Sequence, residues 1–317
     1  MMRLFFRLTL IFVCLMLGAR LTFADSISKQ HAPKVIVSIK PLHAWVSAVM
    51  KGVAVPDLLL NSSDSVHHYQ LKPSDASNLS KANIIFIADK KMEVYLKKPL
   101  HSLANKAKII ALDSAPGIKL LPMRKNGAGN KKPHVIKVLK PHSQHVRYNF
   151  HFWLDPQNAV AATKYIADVL AKTDPEHASI YKANAENYVS KLEELIKETQ
   201  QKLKDHQDIK FMVFHDAYYY YEKRFGVEAL EAVTINPEHQ PSAHRIRALH
   251  NKVKTSSVAC VFAEPQFPPA VVHSIIEGTL AKQGVLDPIG ANLTPGANSY
   301  FELVNKITEA LIVCSSK

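Results

Sequence analysis

The chain reads as an α/β protein of two lobes with parallel-type sheets, joined by one long helix. Three observations predict this. Short β-branched runs alternate with longer helical patterns, as expected where helices cross over between parallel strands. The alternation occurs twice in succession. Between the two series runs a single amphipathic stretch long enough to form a rod of roughly 45 Å.

In the first series the expected strands are Val35–Ile39, Val53–Leu59, Ile84–Ala88 and Ile109–Leu112, with helical segments at Leu42–Met50 and Pro73–Lys81. The second series places strands at Lys210–His215, Glu228–Val233, Val258–Glu264 and Gly284–Pro288. In the stretch between them Asp174 suits a helix cap and Pro175 the first helical position. Apolar residues follow at Tyr181, Tyr188, Leu192, Leu195, Ile196 and Leu203, the stripe of an amphipathic helix. The resulting division is 1–24 signal peptide, 25–173 N-terminal lobe, 174–206 connecting helix and 207–317 C-terminal lobe. A stiff connector of this kind limits hinge motion between lobes.

The signal peptide rests on Arg3 and Arg7, the apolar run Leu8–Ala19, and the small residues around Thr22-Phe23-Ala24, with cleavage expected after Ala24. The apolar run is shorter than the roughly 20 residues a membrane span needs. A lipid anchor at Cys14 fits less well, because Ile-Phe-Val precedes it. The mature chain is therefore expected to be an exported, soluble protein. Export leaves Cys260 and Cys314, and two cysteines in an oxidising compartment suggest one disulfide, the alternative being two buried thiols. A bridge would close a loop of about fifty residues, worth roughly 4 kcal/mol on the chain-entropy account.

The formal charge is +13, and three of those charges leave with the signal. Export, and the lack of any RNP-like or helix-turn-helix pattern beside the basic residues, argue against nucleic acid as a partner. Met123–Arg147 holds seven Lys or Arg and no acidic residue and reads as a surface loop. Its His134, His142 and His145 are either weak metal traps or part of a solvated loop.

Three other histidines end apolar runs: His67 in SVHHYQLKPSD, His151 in NFHFWLDP and His215 in FMVFHDAYYYYEK. Their spacing is too long for a local motif, so a tertiary fold must gather them. Imidazole nitrogens suit zinc, and three neutral ones leave a fourth position open. Asp287, closing GVLDP, is the natural fourth donor, since its charge would offset part of the dication. His67 and His151 from the first lobe would then clamp a Zn2+ ion against His215 and Asp287 from the second, in the interlobe cleft. Each residue also has a plainer reading. A strand-end histidine is often only packed, His68 competes with His67, and Asp287-Pro288 suits a turn. Glu264 in FAEPQF is a ligand, a partner of one, or a strand-end carboxylate.

The blocks SIKPLHAWVSAVMKGV, HHYQLKPSDASNLSKANIIFIA, MEVYL, HFWLDPQNA, FMVFHDAYYYYEKRFGV, CVFAEPQFPPAVV and GVLDPIGANL closely resemble the ZnuA-type zinc-binding proteins of bacterial ABC importers, in the family's order. The resemblance implies two α/β lobes joined by a long helix, metal in the cleft, and an inner-membrane ABC permease as partner of a monomeric receptor, which it places in the periplasm. By motif, it implies ligands at His67, His151 and His215, choosing His67 over His68 because it lies two residues before Tyr69. It also implies a Cys260–Cys314 disulfide. Asp287 matches the position where related manganese-binding members supply a carboxylate. Val66 stands where many zinc-type members carry an acidic residue, which leaves Asp287 or a water for the fourth position. The loop ahead of His151 is basic where family members are often rich in His and acid. Three histidines favour zinc over a manganese-specific receptor, because harder oxygen donors suit manganese.

The rival from another class is a three-histidine zinc hydrolase. It needs a placed general base, and Glu264 is the only motif carboxylate left over, without an HExxH helix or a nucleophile elbow. An adhesin using the basic face would leave no separate mark. A non-enzymatic receptor is the reading taken forward.

Overall fold

The computed structural model describes residues 32–60, 69–124, 147–235, 237 and 239–316. The signal peptide, His67, His68 and most of the basic loop lie outside the described residues.

Two four-stranded parallel sheets form, with orders β2-β1-β3-β4 and β6-β5-β7-β8. The first holds β1 (Val35–Val37), β2 (Asp57–Leu58), β3 (Ile84–Ile87) and β4 (Lys108–Ala111). The second holds β5 (Phe211–Val213), β6 (Glu231–Ala232), β7 (Cys260–Ala263) and β8 (Lys282–Val285). Central strands covered on both faces need apolar residues throughout, and VIV, IIFI, FMV and CVFA are buried along their whole length. The edge strand β8, KQGV, stays largely exposed. It begins two residues before the expected Gly284, paired to β7 from Cys260↔Lys282 to Ala263↔Val285. Gly284 fits there for a packing reason: a Cβ would lie 2.4 Å from the Phe262 ring.

The helices are α1 (Lys40–Val49), α2 (Pro73–Lys81), α3 (Lys97–Ser102), α4 (Pro156–Thr173), α5 (Ala178–Leu203), α6 (Tyr219–Phe225), α7 (Ala243–Ser256), α8 (Ala270–Ile276) and α9 (Ser299–Ser315). The long helix α5 buries Tyr181, Tyr188, Leu192, Leu195 and Leu203 of the predicted stripe, while Ile196 is only partly covered. Its start departs from expectation. Pro175–His177 form a 3-10 turn, and Asp174 accepts from Tyr181 Oη at 2.7 Å and pairs with His177 Nδ1 at 2.8 Å. Those two side chains hold the carboxylate that would otherwise have capped the helix backbone, so the α-helix opens at Ala178.

One apolar interior runs through both halves of the chain. It takes in β1, β3, α1, α4 and α5, and continues to Phe211 and Val213 of β5, Phe262, and α9. Met212 and Phe214, alternating to the other face of β5, pack with α7 and α8 in a second cluster. Helix α9, late in the chain, lies on α1 and α5, with Tyr300 edge-on to Trp45 at 5.3 Å. It is tied to β7 by the Cys260–Cys314 disulfide, whose Cα atoms are 5.9 Å apart. No described helix is long and apolar enough to cross a membrane.

Candidate metal centre

In open parallel sheets, ligands gather beyond the strand carboxyl ends, where the chain order reverses. In the second sheet that point lies between β5 and β7. His215 follows β5 by two residues and Glu264 follows β7 directly, so the two meet. His215 Nδ1 lies 2.8 Å from each Glu264 oxygen. A carboxylate only accepts, so the ring proton sits on Nδ1 and Nε2 presents a lone pair.

His151 comes from the first half. The next three residues, Phe152, Trp153 and Leu154, form a buried 3-10 turn, and Asp155 caps α4 by accepting from Gln157 N. Trp153 Nε1 donates to the Pro288 carbonyl at 2.8 Å, and Tyr300 Oη donates to the Trp153 carbonyl at 2.6 Å. Asp155 also takes Arg224 Nε at 2.6 Å. The segment carrying His151 is thus fastened to the second half at several points. His151 Nδ1 lies 3.0 Å from Asn149 Oδ1, which again places the proton on Nδ1.

The two rings meet with Nε2 atoms 3.2 Å apart, each residue 5 % exposed. Tetrahedral zinc with Zn–N bonds of about 2.0–2.1 Å sets its nitrogen ligands roughly 3.3 Å apart. At this distance the two Nε2 atoms can share one cation, a proton or a metal ion. The donor set therefore fits a zinc ion.

The other predicted residues fall differently. His67 lies outside the described residues, and among the described residues no group of three or more His, Cys, Asp or Glu side chains is arranged around one point. Asp287 organises a turn. Its Oδ1 accepts from Gln266 Nε2, Ile289 N and Gly290 N, and its Oδ2 from Ala291 N at 2.6 Å. Lys40 reaches the same turn through the carbonyls of Leu293, at 3.1 Å, and Ala291. Burial lowers the Lys40 pKa, and the Asp287 charge partly offsets this.

Sequence reasoning missed three contributors. Asn149 was hidden because an amide two residues before a histidine carries no distinctive signal. Asp216 and Arg124 were hidden because their pairing spans the basic loop. Arg124 donates from Nε to both Asp216 oxygens at 3.0 Å and from Nη1 to Glu222 at 2.7 Å, with its guanidinium 4.2 Å from the Tyr219 ring centre. Burial opposes the charge on Arg124, but Asp216 and Glu222 outweigh it and raise its pKa. Burial pushes Glu222 up to about 6, with Arg124 holding it down.

Comparison with known proteins matches residues 35–314 to the family described as ZnuA, zinc-uptake complex component A, periplasmic. The chain belongs to the ZnuA family. The high-affinity zinc uptake system protein ZnuA of Brucella suis biovar 1 is 42% identical over 306 residues, covering 89% of this chain and 92% of the relative. The ZnuA of Yersinia pestis is 33% identical, covering 94% and 96%. A ZnuA crystal structure superposes with a TM-score of 0.74 over 88% of this chain and 99% of the other, at 24% identity, which supports the two-sheet fold. His151, His215 and both disulfide cysteines lie within the stretch that matches ZnuA.

Proposed function

We propose that this chain is the high-affinity zinc receptor of an ABC uptake system, capturing Zn2+ outside the inner membrane and delivering it to a membrane permease. It is a transport component and not an enzyme. The observation that carries this reading is the pair of Nε2 atoms 3.2 Å apart, each ring held from behind by Glu264 or Asn149. Similarity to zinc-uptake proteins along most of the chain supports zinc as cargo.

In this reading His67, His151 and His215 bind the ion. A water is the simpler fourth donor, because Asp287 is already held by Gln266 Nε2 and the backbone N–H groups of the 289–291 turn. Asp287→Ala that weakens zinc tenfold with an unchanged apo melting temperature would restore the carboxylate as a ligand. The chain acts as a monomer, exported with cleavage after Ala24. Its halves divide at the long helix, into 25–173, 174–206 and 207–317.

The test is calorimetric titration of metal-free mature protein with zinc and manganese, alongside His67→Ala, His151→Ala and His215→Ala. One tight zinc equivalent, weak manganese binding, and a large loss in each variant are expected. Tight manganese binding would recast the chain as a manganese receptor, and no tight site would end the receptor reading.

A further inference from the structure

We infer that Asn149 is a positioning residue for zinc, its single amide group setting the distance between the two histidines. The inference rests on the receptor reading above. Every backbone and side-chain polar group of Asn149 is engaged. Its N–H donates to the Leu121 carbonyl at 2.9 Å, and its carbonyl accepts from Tyr220 Oη at 2.7 Å. Oδ1 accepts from His151 N and faces His151 Nδ1, both at 3.0 Å, and Nδ2 donates to the Asp216 carbonyl at 2.6 Å. The amide has only one sensible orientation. Turned over, it would aim N–H groups at the His151 backbone N–H and an oxygen at the Asp216 carbonyl.

One planar group therefore touches the His151 ring at one end and, at the other, the backbone of the residue after His215. Asp216 is itself gripped by Arg124, and the Ala217 N–H turns back to the His215 carbonyl at 2.8 Å. The chain on both sides of Asn149 is also fixed. Pro122 and Tyr148 form an antiparallel bridge, and Met123 N donates to Arg147 O at 2.9 Å. Asn149 is 6 % exposed, so water cannot replace these bonds cheaply. Glu264 fixes the His215 ring, and among the described residues Asn149 is the one that joins one ring to the main chain beside the other histidine.

The test compares Asn149→Ala with Asn149→Asp in the full mature chain, by zinc competition titration and the visible spectrum of the cobalt-loaded protein. The aspartate keeps an acceptor for His151 but cannot donate to Asp216. In Asn149→Ala zinc affinity should fall roughly 10–100-fold, the range typical of groups behind metal ligands. The cobalt bands should shift, and Asn149→Asp should recover part of the affinity while its spectrum stays altered. Wild-type affinity in Asn149→Ala would overturn the inference. So would weakened binding with an unchanged cobalt spectrum in both variants, since that marks lost stability and not misplaced ligands. Failure of the receptor reading looks different, because the wild type itself would then bind no zinc tightly.

Discussion

Glu264 holds His215 through both of its oxygens, each 2.8 Å from Nδ1, with its side chain fully buried at the end of β7. A carboxylate behind a ligating imidazole fixes its ring and raises its basicity, and removing such a partner commonly costs 10–100-fold in metal affinity. Glu264→Ala is expected to weaken zinc by that amount, and Glu264→Gln by less, since its amide oxygen still accepts from Nδ1. Competition with a chelator of known affinity measures both, and unchanged binding in Glu264→Ala would show that the pair is ornamental to the site.

Arg124 neutralises two carboxylates at once, with its own side chain 6% exposed and that of Glu222 2%. Breaking a buried pair by removing one partner strands the other charge and costs about 3–5 kcal/mol. Arg124→Ala should lose that much in urea unfolding at neutral pH. Adding Glu222→Gln should restore part of it by removing the stranded charge. Equal stability of the single and double variants would contradict this account.

Burial pushes the Glu93 carboxyl up to about 7, even though the Ala88 and Asp89 N–H groups bond to it. The folded protein therefore keeps this proton over a range where the unfolded chain, with an ordinary value near 4.5, has lost it. The contribution is fully present below the unfolded value and disappears as pH rises through about 7, amounting to about 3 kcal/mol at most. Glu93→Gln keeps an acceptor for both N–H groups and has no proton to lose. Across pH 5 to 8, its apo melting temperature should fall less than that of the wild type, and parallel curves would refute the assignment.

The disulfide joins residues 54 apart and should contribute about 4 kcal/mol through the unfolded chain. Replacing Cys260 and Cys314 together by serine should lower stability by that order, while zinc affinity measured well below the melting point stays near wild type. A large loss of affinity would mean that the bridge shapes the β7 end and Glu264.

Much of the fold was legible because buried parallel strands must be apolar throughout, so IIFI, FMV and CVFA announced themselves. The edge strand β8 shifted because its exposed Lys282 and Gln283 carry no such signal. The start of α5 moved because Asp174 found partners in Tyr181 and His177, a competition settled by side chains one and two turns away. At the site, apolar runs ending in histidine pointed to His151 and His215. Asn149 reaches Asp216, and Arg124 reaches Asp216 and Glu222, across 67 to 98 positions, and no local pattern encodes those pairings.

Helix α9 has a consequence for how the molecule is made. It carries Tyr300 against Trp45 and Trp153, residues from the first half, and Cys314 to β7. A chain emerging from its N-terminus therefore presents the residues of β1, α1 and α4 long before those of the helix that covers them. Such distant pairings slow folding, because the loop must close before the contact rewards it. Until residues 299–315 arrive, Trp45 and Trp153 lack their Tyr300 contacts and Cys260 lacks its partner, so the last helix is the piece that completes the interior.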